Sequence, residues 1–187
     1  MKIGVLALQG AFKEHLDTLA AIGVEGVAVR LPEDLDQVAG LIIPGGESTT
    51  MRKLIDRWGL RGPIMRLAER GAPLFGTCAG MIVLDRDHLA VGDWRTERNA
   101  FGRQVHSFEA DLDIGDGDEP LRAVFIRAPW LEDPGPDVEV LAEVDGHPVL
   151  AREGRILVAA FHPELTDDTR IHELFLNQVR EATSVRA

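Results

Sequence analysis

Cys78 is the only cysteine in this 187-residue chain, and its neighbours are typical of an exposed catalytic thiol. Gly76 and Gly80 flank it in the spacing of a G-x-nucleophile-x-G elbow. Apolar runs on both sides predict a strand, a sharp turn and a helix, whose positive end would lie near the sulfur and favour the thiolate. Free cysteine is also among the most buried residue types, so Cys78 alone leaves a structural role open.

A candidate base and a candidate acid follow a second apolar run. The strand-like residues 156–161 lead directly into His162-Pro163-Glu164. A thiol nucleophile needs a base to hold its proton, and the base needs a further group to fix its tautomer. His162 and Glu164 offer both on one short loop, and Pro163 restricts the backbone between them. With Cys78 they predict a Cys-His-Glu triad for nucleophilic catalysis.

A glycine pair, Gly45-Gly46, forms the third segment with chemical potential. It follows an apolar strand that ends at Ile43 and precedes a predicted Ser/Thr-capped helix over residues 51–58. Adjacent glycines let backbone N–H groups approach a ligand closely, as an oxyanion hole requires. A tight turn between strand and helix is the competing interpretation. The position at the carboxyl end of a strand favours a ligand site.

The elements around these segments predict a three-layer α/β fold. Apolar strands alternate with amphipathic segments in the first half, which predicts a mainly parallel central sheet flanked by helices. The predicted strands there span residues 2–8, 25–29, 40–43 and 73–75. Helix faces between them are marked by apolar residues at helical spacing, with Gly23 as a C-cap. These residues are Phe12, Leu16, Leu19, Ala20, Met51, Leu54, Ile55 and Trp58.

The second half changes character. Successive strands with short turns predict an additional antiparallel region, at residues 103–112, 121–126, 138–144, 147–152 and 156–161. A closing helix follows, marked by Ile171, Leu174, Phe175 and Val179. No repeat or linker divides the chain, so we expect one domain over residues 1–187.

Composition excludes several classes of protein. The formal charge of −11 opposes nucleic-acid binding, and no apolar run approaches the ~20 residues of a membrane span. One cysteine and no visible signal peptide suggest a reducing, cytoplasmic setting. Walker, dinucleotide and zinc-protease motifs are absent, and the histidines outside the triad lack metal-ligand spacing. We therefore expect no metal or cofactor, with those histidines mostly at the surface or in packing: His15, His88, His106, His147 and His172.

The three segments together resemble the class I (triad) glutamine amidotransferases. Further motifs are similar to the glutaminase subunits of two-component pyridoxal 5'-phosphate synthases, and the similarity covers nearly the whole chain. The most specific are Gly45-Gly46-Glu47-Ser48-Thr49-Thr50 and Phe125-Ile126-Arg127-Ala128-Pro129; the others lie at residues 5–11, 97–99, 101–104 and 161–165.

The resemblance implies an amidohydrolase that acts on L-glutamine. Cys78 would be the nucleophile, His162 the acid-base group and Glu164 its orienting acid. The backbone of Gly46 and Ala79 would form the oxyanion hole. The substrate would be contacted by Gly46, Glu47, Ser48, Arg98, Ile126 and Arg127. Physically, Glu47 could hold the substrate ammonium and an arginine its carboxylate.

The resemblance also implies a partner, a (β/α)8-barrel synthase subunit that uses the ammonia in a hetero-oligomeric complex. Gln9 and Gly10, at the end of the first strand, are expected to couple docking to oxyanion-hole assembly. The alternatives are service to another synthetase, a stand-alone γ-glutamyl hydrolase, a DJ-1-like cysteine enzyme and a non-catalytic scaffold. A DJ-1-like enzyme needs an acidic residue beside the elbow, and a scaffold predicts loss of a triad member; all three triad residues are present.

Overall fold

A computed structural model describes residues 1–98, 107–115 and 119–184 of the chain. The strands are β1 (Lys2–Leu6), β2 (Glu25–Val29), β3 (Gly40–Ile43), β4 (Leu74–Thr77), β5 (Arg95–Glu97), β6 (Ser107–Leu112), β7 (Leu121–Ile126), β8 (Trp130–Glu132), β9 (Val138–Val144), β10 (His147–Glu153) and β11 (Ile156–Ala159). The helices are α1 (Phe12–Ala21), α2 (Ser48–Arg57), α3 (Arg61–Glu69), α4 (Ala79–Leu84) and α5 (Arg170–Ser184), with 3₁₀ turns at Pro32–Gln37 and Pro163–Leu165.

Seven strands form the central sheet in the order β2-β1-β3-β4-β11-β10-β9. The first five are parallel, and β10 and β9 add an antiparallel edge. Strands β1, β3 and β4 are buried almost throughout because helices cover both faces, which explains their continuous apolar runs. The prediction of a mainly parallel sheet with an antiparallel region in the second half is confirmed.

Helices α1 and α5 lie side by side on one face of the sheet, where His15 of α1 contacts His172 of α5. Helix α5 packs closely on β3, since a Cβ on Gly40 would lie 2.9 Å from Val179. Helices α2 and α4 contact each other, and α3 packs on the first 3₁₀ turn. Right-handed crossovers place these three helices on the opposite face. The three layers follow from that arrangement.

Two small antiparallel sheets, β6–β7 and β5–β8, stand outside the central sheet. The predicted strand at 121–126 is confirmed as β7, and the end of the predicted strand at 103–112 is β6. Residues 103–106 and the motif at 101–104 lie outside the described residues. The short strands β5 and β8 were not predicted, because three residues carry too little periodicity.

Several predicted boundaries are wrong in an informative way. Strand β1 ends at Leu6 rather than Leu8, and β11 ends at Ala159 rather than Phe161. In both places the chain leaves the sheet early and carries functional residues past its carboxyl edge. Helix α2 begins at Ser48 rather than Met51, and its N-cap is Glu47 instead of a serine or threonine. The amphipathic helix α3 was missed.

Candidate active site

Cys78 sits on a strained turn between β4 and α4, as the elbow motif predicts. Its backbone has φ 47° and ψ −102°, in a region that residues other than glycine rarely occupy. A side chain on Gly80 would place its Cβ 2.0 Å from the Ile43 carbonyl oxygen, and one on Gly76 would lie 2.7 Å from the Gly80 backbone. The turn closes only because both neighbours lack a Cβ.

The nucleophile and the base meet because β4 and β11 are adjacent parallel strands. Thr77 pairs with Ala159 at their carboxyl ends, and the Cys78 N–H donates to the Ala159 carbonyl (2.8 Å). The chain then continues to His162, whose N–H donates to the Val124 carbonyl of β7 (2.9 Å). Two motifs far apart in sequence are thus fixed on one edge of the sheet.

Glu164 lies behind His162, where the predicted triad places its orienting acid. His162 Nδ1 donates to Glu164 Oε1 at 2.7 Å, and both residues are buried. Burial opposes the imidazolium charge, but hydrogen bonds with Cys78 and Glu164, and the negative charge of both groups, outweigh it and raise the pKa of His162 to about 10. The imidazole of His162 is therefore protonated at neutral pH.

Gly45 forms the wall against which the imidazole of His162 packs. A Cβ at this position would lie 2.4 Å from His162 Cε1 and 3.4 Å from the Cys78 Cβ. Both distances are at or below ordinary contact, so any side chain at Gly45 would displace the ring. The glycine pair therefore has a steric role beside the base as well as the expected role in an oxyanion hole.

The β1–α1 loop holds the glycine loop from behind. The Glu47 N–H donates to Gln9 Oε1 (3.2 Å), and Gln9 Nε2 donates back to the Glu47 carbonyl (3.4 Å). The Ala11 N–H donates to the Gly45 carbonyl (3.1 Å), and Gly10, at φ +87°, fits against that same oxygen. Gln9 and Gly10 thus lie where coupling to the oxyanion hole requires them, although coupling itself stays a prediction.

A pocket of about 300 Å³ opens above Cys78. It brings together the triad base and the six predicted substrate contacts. Its lining is Gly46, Glu47, Ser48, Cys78, Ala79, Ile82, Arg98, Ile126, Arg127 and His162. Ile82 was missed, although its place one turn after Ala79 on α4 was a usable signal. Larger cavities exist elsewhere but contain no triad residue.

Glu47 has a second role that the sequence did not predict. Its carboxylate accepts hydrogen bonds from Thr50 Oγ1 (2.6 Å) and from the N–H groups of Thr49 and Thr50, and these lower the pKa of Glu47 to about 2. Arg98 Nη2 lies 3.7 Å from Glu47 Oε1. The carboxylate is therefore ionised and held in place at the pocket rim. A role in binding an ammonium group stays a prediction.

The opposite rim is built by Ile126 and Arg127 at the end of β7. The Ile126 carbonyl oxygen lies 3.9 Å from Cys78 Sγ. Arg127 has φ +45°, so the backbone bends sharply where it passes the thiol. Such strain in a residue with a long side chain is typical of a functional position.

Two further histidines, His15 and His172, are fully buried behind Glu164. The sequence placed them among scattered surface or packing residues, and no contact to the triad was expected. A signal was present, since His15 falls on the apolar face of α1 with Phe12, Leu16 and Leu19. Within residues 1–98, 107–115 and 119–184, no group of three or more acidic, histidine or cysteine side chains could hold a metal ion. In the same part of the chain no helix is long and apolar enough to cross a membrane.

Similarity to known proteins extends along nearly the whole chain. Residues 5–181 match the model of the SNO glutamine amidotransferase family. The pyridoxal 5'-phosphate synthase subunit PdxT of Pelotomaculum thermopropionicum is 57% identical over 186 residues, covering 95% of each chain. PdxT of Carboxydothermus hydrogenoformans is 54% identical over 187 residues, covering 96% of this chain and 98% of the relative.

Solved structures are also similar to this chain. A crystal structure described as a glutamine amidotransferase superposes with a TM-score of 0.90 at 46% identity, covering 95% of this chain and 98% of the other. The PurLQS structure from Thermotoga maritima has a TM-score of 0.67 at 18% identity, covering 97% and 96%. At that identity the second likeness concerns the fold alone.

Proposed function

The chain belongs to the SNO glutamine amidotransferase family, and from this premise we propose that it releases ammonia from the side-chain amide of L-glutamine, as the glutaminase subunit of a pyridoxal 5'-phosphate synthase. The observation that carries the proposal is the position of Cys78, on a strained elbow, against a protonated His162 that is backed by Glu164. Amide cleavage by covalent catalysis needs these three groups together.

In the first step the Cys78 thiolate attacks the amide carbon and forms a tetrahedral oxyanion. The N–H groups of Gly46 and Ala79 bind that oxygen in this proposal. The oxyanion collapses as His162 donates its Nε2 proton to the departing nitrogen, so the C–N bond breaks and ammonia leaves. A glutamyl thioester on Cys78 and a neutral His162 remain. Glu164 keeps the imidazole in the tautomer that carries its other proton on Nδ1.

In the second step water attacks the thioester. His162 Nε2 takes a proton from the water as the oxygen bonds to the acyl carbon, and the new tetrahedral intermediate expels the Cys78 thiolate. Glutamate is released, and the thiolate–imidazolium pair is restored. The new carboxyl group keeps the second proton of the water and loses it to solvent, so atoms and charges balance without a further reactant. The raised pKa of His162 suits the resting protonated state that this cycle begins from.

The pocket rim supports recognition of the amino-acid end of glutamine. Glu47 is ionised and oriented by its helix-cap hydrogen bonds, so it can face the substrate ammonium. Arg98 beside Glu47 and Arg127 on the opposite rim line the same pocket and supply cations for the substrate carboxylate. Ser48, nearly fully buried in the pocket wall, and Ile126 complete the contacts proposed for the substrate.

Ammonia becomes protonated in bulk water and loses its nucleophilicity, so the product is best passed directly to the enzyme that uses it. We propose a synthase partner with a (β/α)8-barrel fold in a hetero-oligomeric complex, docked over the carboxyl edge of the sheet. Gln9 and Gly10 lie at that edge and contact the glycine loop, so a partner that presses on them can adjust Gly46. Docking there would link ammonia release to the presence of the acceptor.

Glutamate release by the chain alone and during titration with the synthase partner tests this function. We expect low activity alone and a rise that saturates at a fixed ratio of the two proteins. Full activity in the isolated chain, unchanged by the synthase, would favour a stand-alone hydrolase. No glutamate under either condition would remove the glutaminase assignment.

Charge reversal tests the docking face. Lys13 is exposed on α1 close to Gln9, and Glu173 is exposed on α5. Lys13→Glu should weaken stimulation by the synthase, and the matched variant Glu173→Lys should not. The reverse pattern would place the partner against α5 rather than over the β1–α1 loop.

A further inference from the structure

A buried chain of polar side chains continues beyond Glu164 to the two histidines. His15 Nε2 lies 3.4 Å from Glu164 Oε2 and 3.2 Å from Thr77 Oγ1, while His15 Nδ1 lies 2.9 Å from His172 Nε2. The side chains of His15 and Glu164 are fully buried, and so is His172. The proposed catalytic cycle uses neither histidine. Their burial therefore needs an explanation.

The second carboxylate oxygen of Glu164 makes this explanation specific. Oε1 receives the hydrogen bond from His162, but Oε2 has no hydrogen-bond partner of normal geometry among the described residues. A buried anionic oxygen without a donor is costly, and the ring N–H of His15, at 3.4 Å, is positioned to relieve it. A small approach of the two groups would complete the hydrogen bond.

The contacts also select the tautomers of both histidines. A carboxylate accepts and never donates, so the atom of His15 that faces it, Nε2, carries the proton. His15 Nδ1 is then an acceptor and takes the hydrogen bond from His172 Nε2–H. In this tautomer His172 Nδ1 carries no proton. It has no hydrogen-bond partner among the described residues, but no buried N–H is left without an acceptor there. Donation from His172 to His15 fits the 2.9 Å contact, and the Nε2–H of His15 then faces both Thr77 Oγ1, its hydrogen-bond partner at 3.2 Å, and Glu164 Oε2 at 3.4 Å.

Both histidines are neutral in this arrangement. Burial, followed by the charges of His172 and His162, lowers the pKa of His15 well below its ordinary value, and burial lowers the pKa of His172 to about 4. The groups that face His15 are thus Glu164, His172, Thr77 and, farther away, His162. A neutral donor supports the carboxylate without cancelling the charge that His162 needs.

We propose that His15 is a positioning residue that holds Glu164 through Oε2 and so keeps the acid aligned with His162, with His172 fixing the tautomer of His15. The proposal rests on the function proposed above. It predicts that loss of the N–H donor at position 15 harms turnover rather than substrate binding, because the substrate pocket lies on the far side of His162. The α1 region would then have two roles. His15 within the helix supports His162 through Glu164, and residues 9–11 before the helix hold the glycine loop.

The test compares His15→Leu, which removes the donor, with His15→Gln, which keeps a neutral N–H donor. In the complex with the synthase partner, we expect His15→Leu to lower kcat by about ten- to a hundredfold at nearly constant KM, the range seen when an outer partner of a functional side chain is lost. His15→Gln should recover most of that loss. The control His147→Leu changes a histidine at the start of β10, whose ring stacks on that of Trp130, and should keep wild-type kcat.

Alkylation supplies a readout that does not depend on glutamine. Cys78 is the only cysteine, so iodoacetamide gives a single adduct that mass spectrometry follows. Without its donor, the Glu164 carboxylate is held less firmly against His162 and supports the imidazolium less well. The pH of half-maximal alkylation should therefore rise by about one unit in His15→Leu and not in His15→Gln.

Wild-type kcat and an unshifted alkylation profile in a folded His15→Leu protein would overturn the proposal. An equal loss of kcat in His15→Leu and His15→Gln would also overturn it, because the shape of the imidazole, and not its N–H donor, would then be what matters. If His15→Leu does not fold, His172→Leu and His172→Gln repeat the comparison one step away, with a smaller loss expected only in the leucine variant. If even the wild-type complex releases no glutamate, the proposed function fails while alkylation still decides the role of His15.

Discussion

The two sides of the pocket are built in different ways. The nucleophile side consists of Cys78, His162 and Glu164, all less than a tenth exposed and held by strand ends and backbone contacts. The substrate side consists of loops and the ends of α2 and β7, and there Glu47 and Arg98 expose about half of their side chains. The chemistry is thus fixed by the core of the fold, whereas recognition lies at a rim that a ligand or a partner can still adjust.

Loss of the nucleophile should have the largest effect. We expect Cys78→Ser to abolish glutamine hydrolysis, by about 10⁴-fold or more, because a serine hydroxyl needs stronger activation than this imidazolium site provides. Glutamate release with the synthase present measures it, and a thermal melt checks the fold. Turnover close to wild type in a folded variant would remove Cys78 from the mechanism.

Glu164→Gln should be nearly as damaging. Its shape is preserved, but the charge that supports the imidazolium is lost, and a comparable change in another triad costs about 10⁴-fold in kcat. In wild type, turnover should persist until the pH nears 10, where His162 loses the proton it donates to ammonia. In Glu164→Gln the alkaline limit of activity should move to a lower pH, because the raised pKa of His162 depends partly on the Glu164 carboxylate. A loss confined to KM would instead assign Glu164 to binding.

Gly45→Ala tests the rigid side by shape alone. The added methyl would approach His162 Cε1 to 2.4 Å, so the ring must move. A displacement of about 1 Å in a catalytic group can cost about a hundredfold. We expect such a fall in kcat, whereas the control Gly146→Ala, where a Cβ meets nothing within 4 Å, should reduce only stability through its φ of +78°. Equal kcat in Gly45→Ala and wild type would show that the wall tolerates movement.

Glu47→Gln probes the adjustable side and should have the smallest effect on chemistry. We expect KM for glutamine to rise about tenfold, as for loss of one charge-assisted contact, with kcat changed much less. The melting temperature should fall slightly because the helix cap is weakened. If kcat falls at constant KM, Glu47 acts by shaping the glycine loop, and the two sides are less separate than their burial suggests.

The strained turn at Cys78 and the contact of His162 with Glu164 could be predicted from local motifs, because each motif carries its own backbone signature; their catalytic roles stay a proposal. Cys78 lies between two glycines, and His162 and Glu164 follow a strand on one short loop. The adjacency of β4 and β11 could not be predicted in this way, since pairing of strands so far apart in sequence is decided by the whole sheet. The contact of His15 with Glu164 was not predicted either, because it also joins residues far apart in sequence.

Glu47 shows a second limit of sequence motifs. Its motif indicated a ligand contact and a helix capped by serine or threonine, yet the glutamate itself caps α2. A single side chain such as Glu47 can both cap a helix and contact a ligand, and a sequence motif indicates only the role for which it was recognised. The residues 101–104, which belong to the resemblance, lie outside the described residues and stay a prediction.

The pairing of β4 with β11 also has a consequence for biosynthesis. A ribosome adds about 5–20 residues per second, so several seconds separate the emergence of the elbow from that of the histidine loop. During that interval Cys78 has neither its base nor the strand that receives its N–H hydrogen bond. The nascent chain therefore carries the thiol without its base, and the site is complete only when β11 lies between β4 and β10. Catalytic activity therefore indicates that β11 has joined β4 in the centre of the sheet.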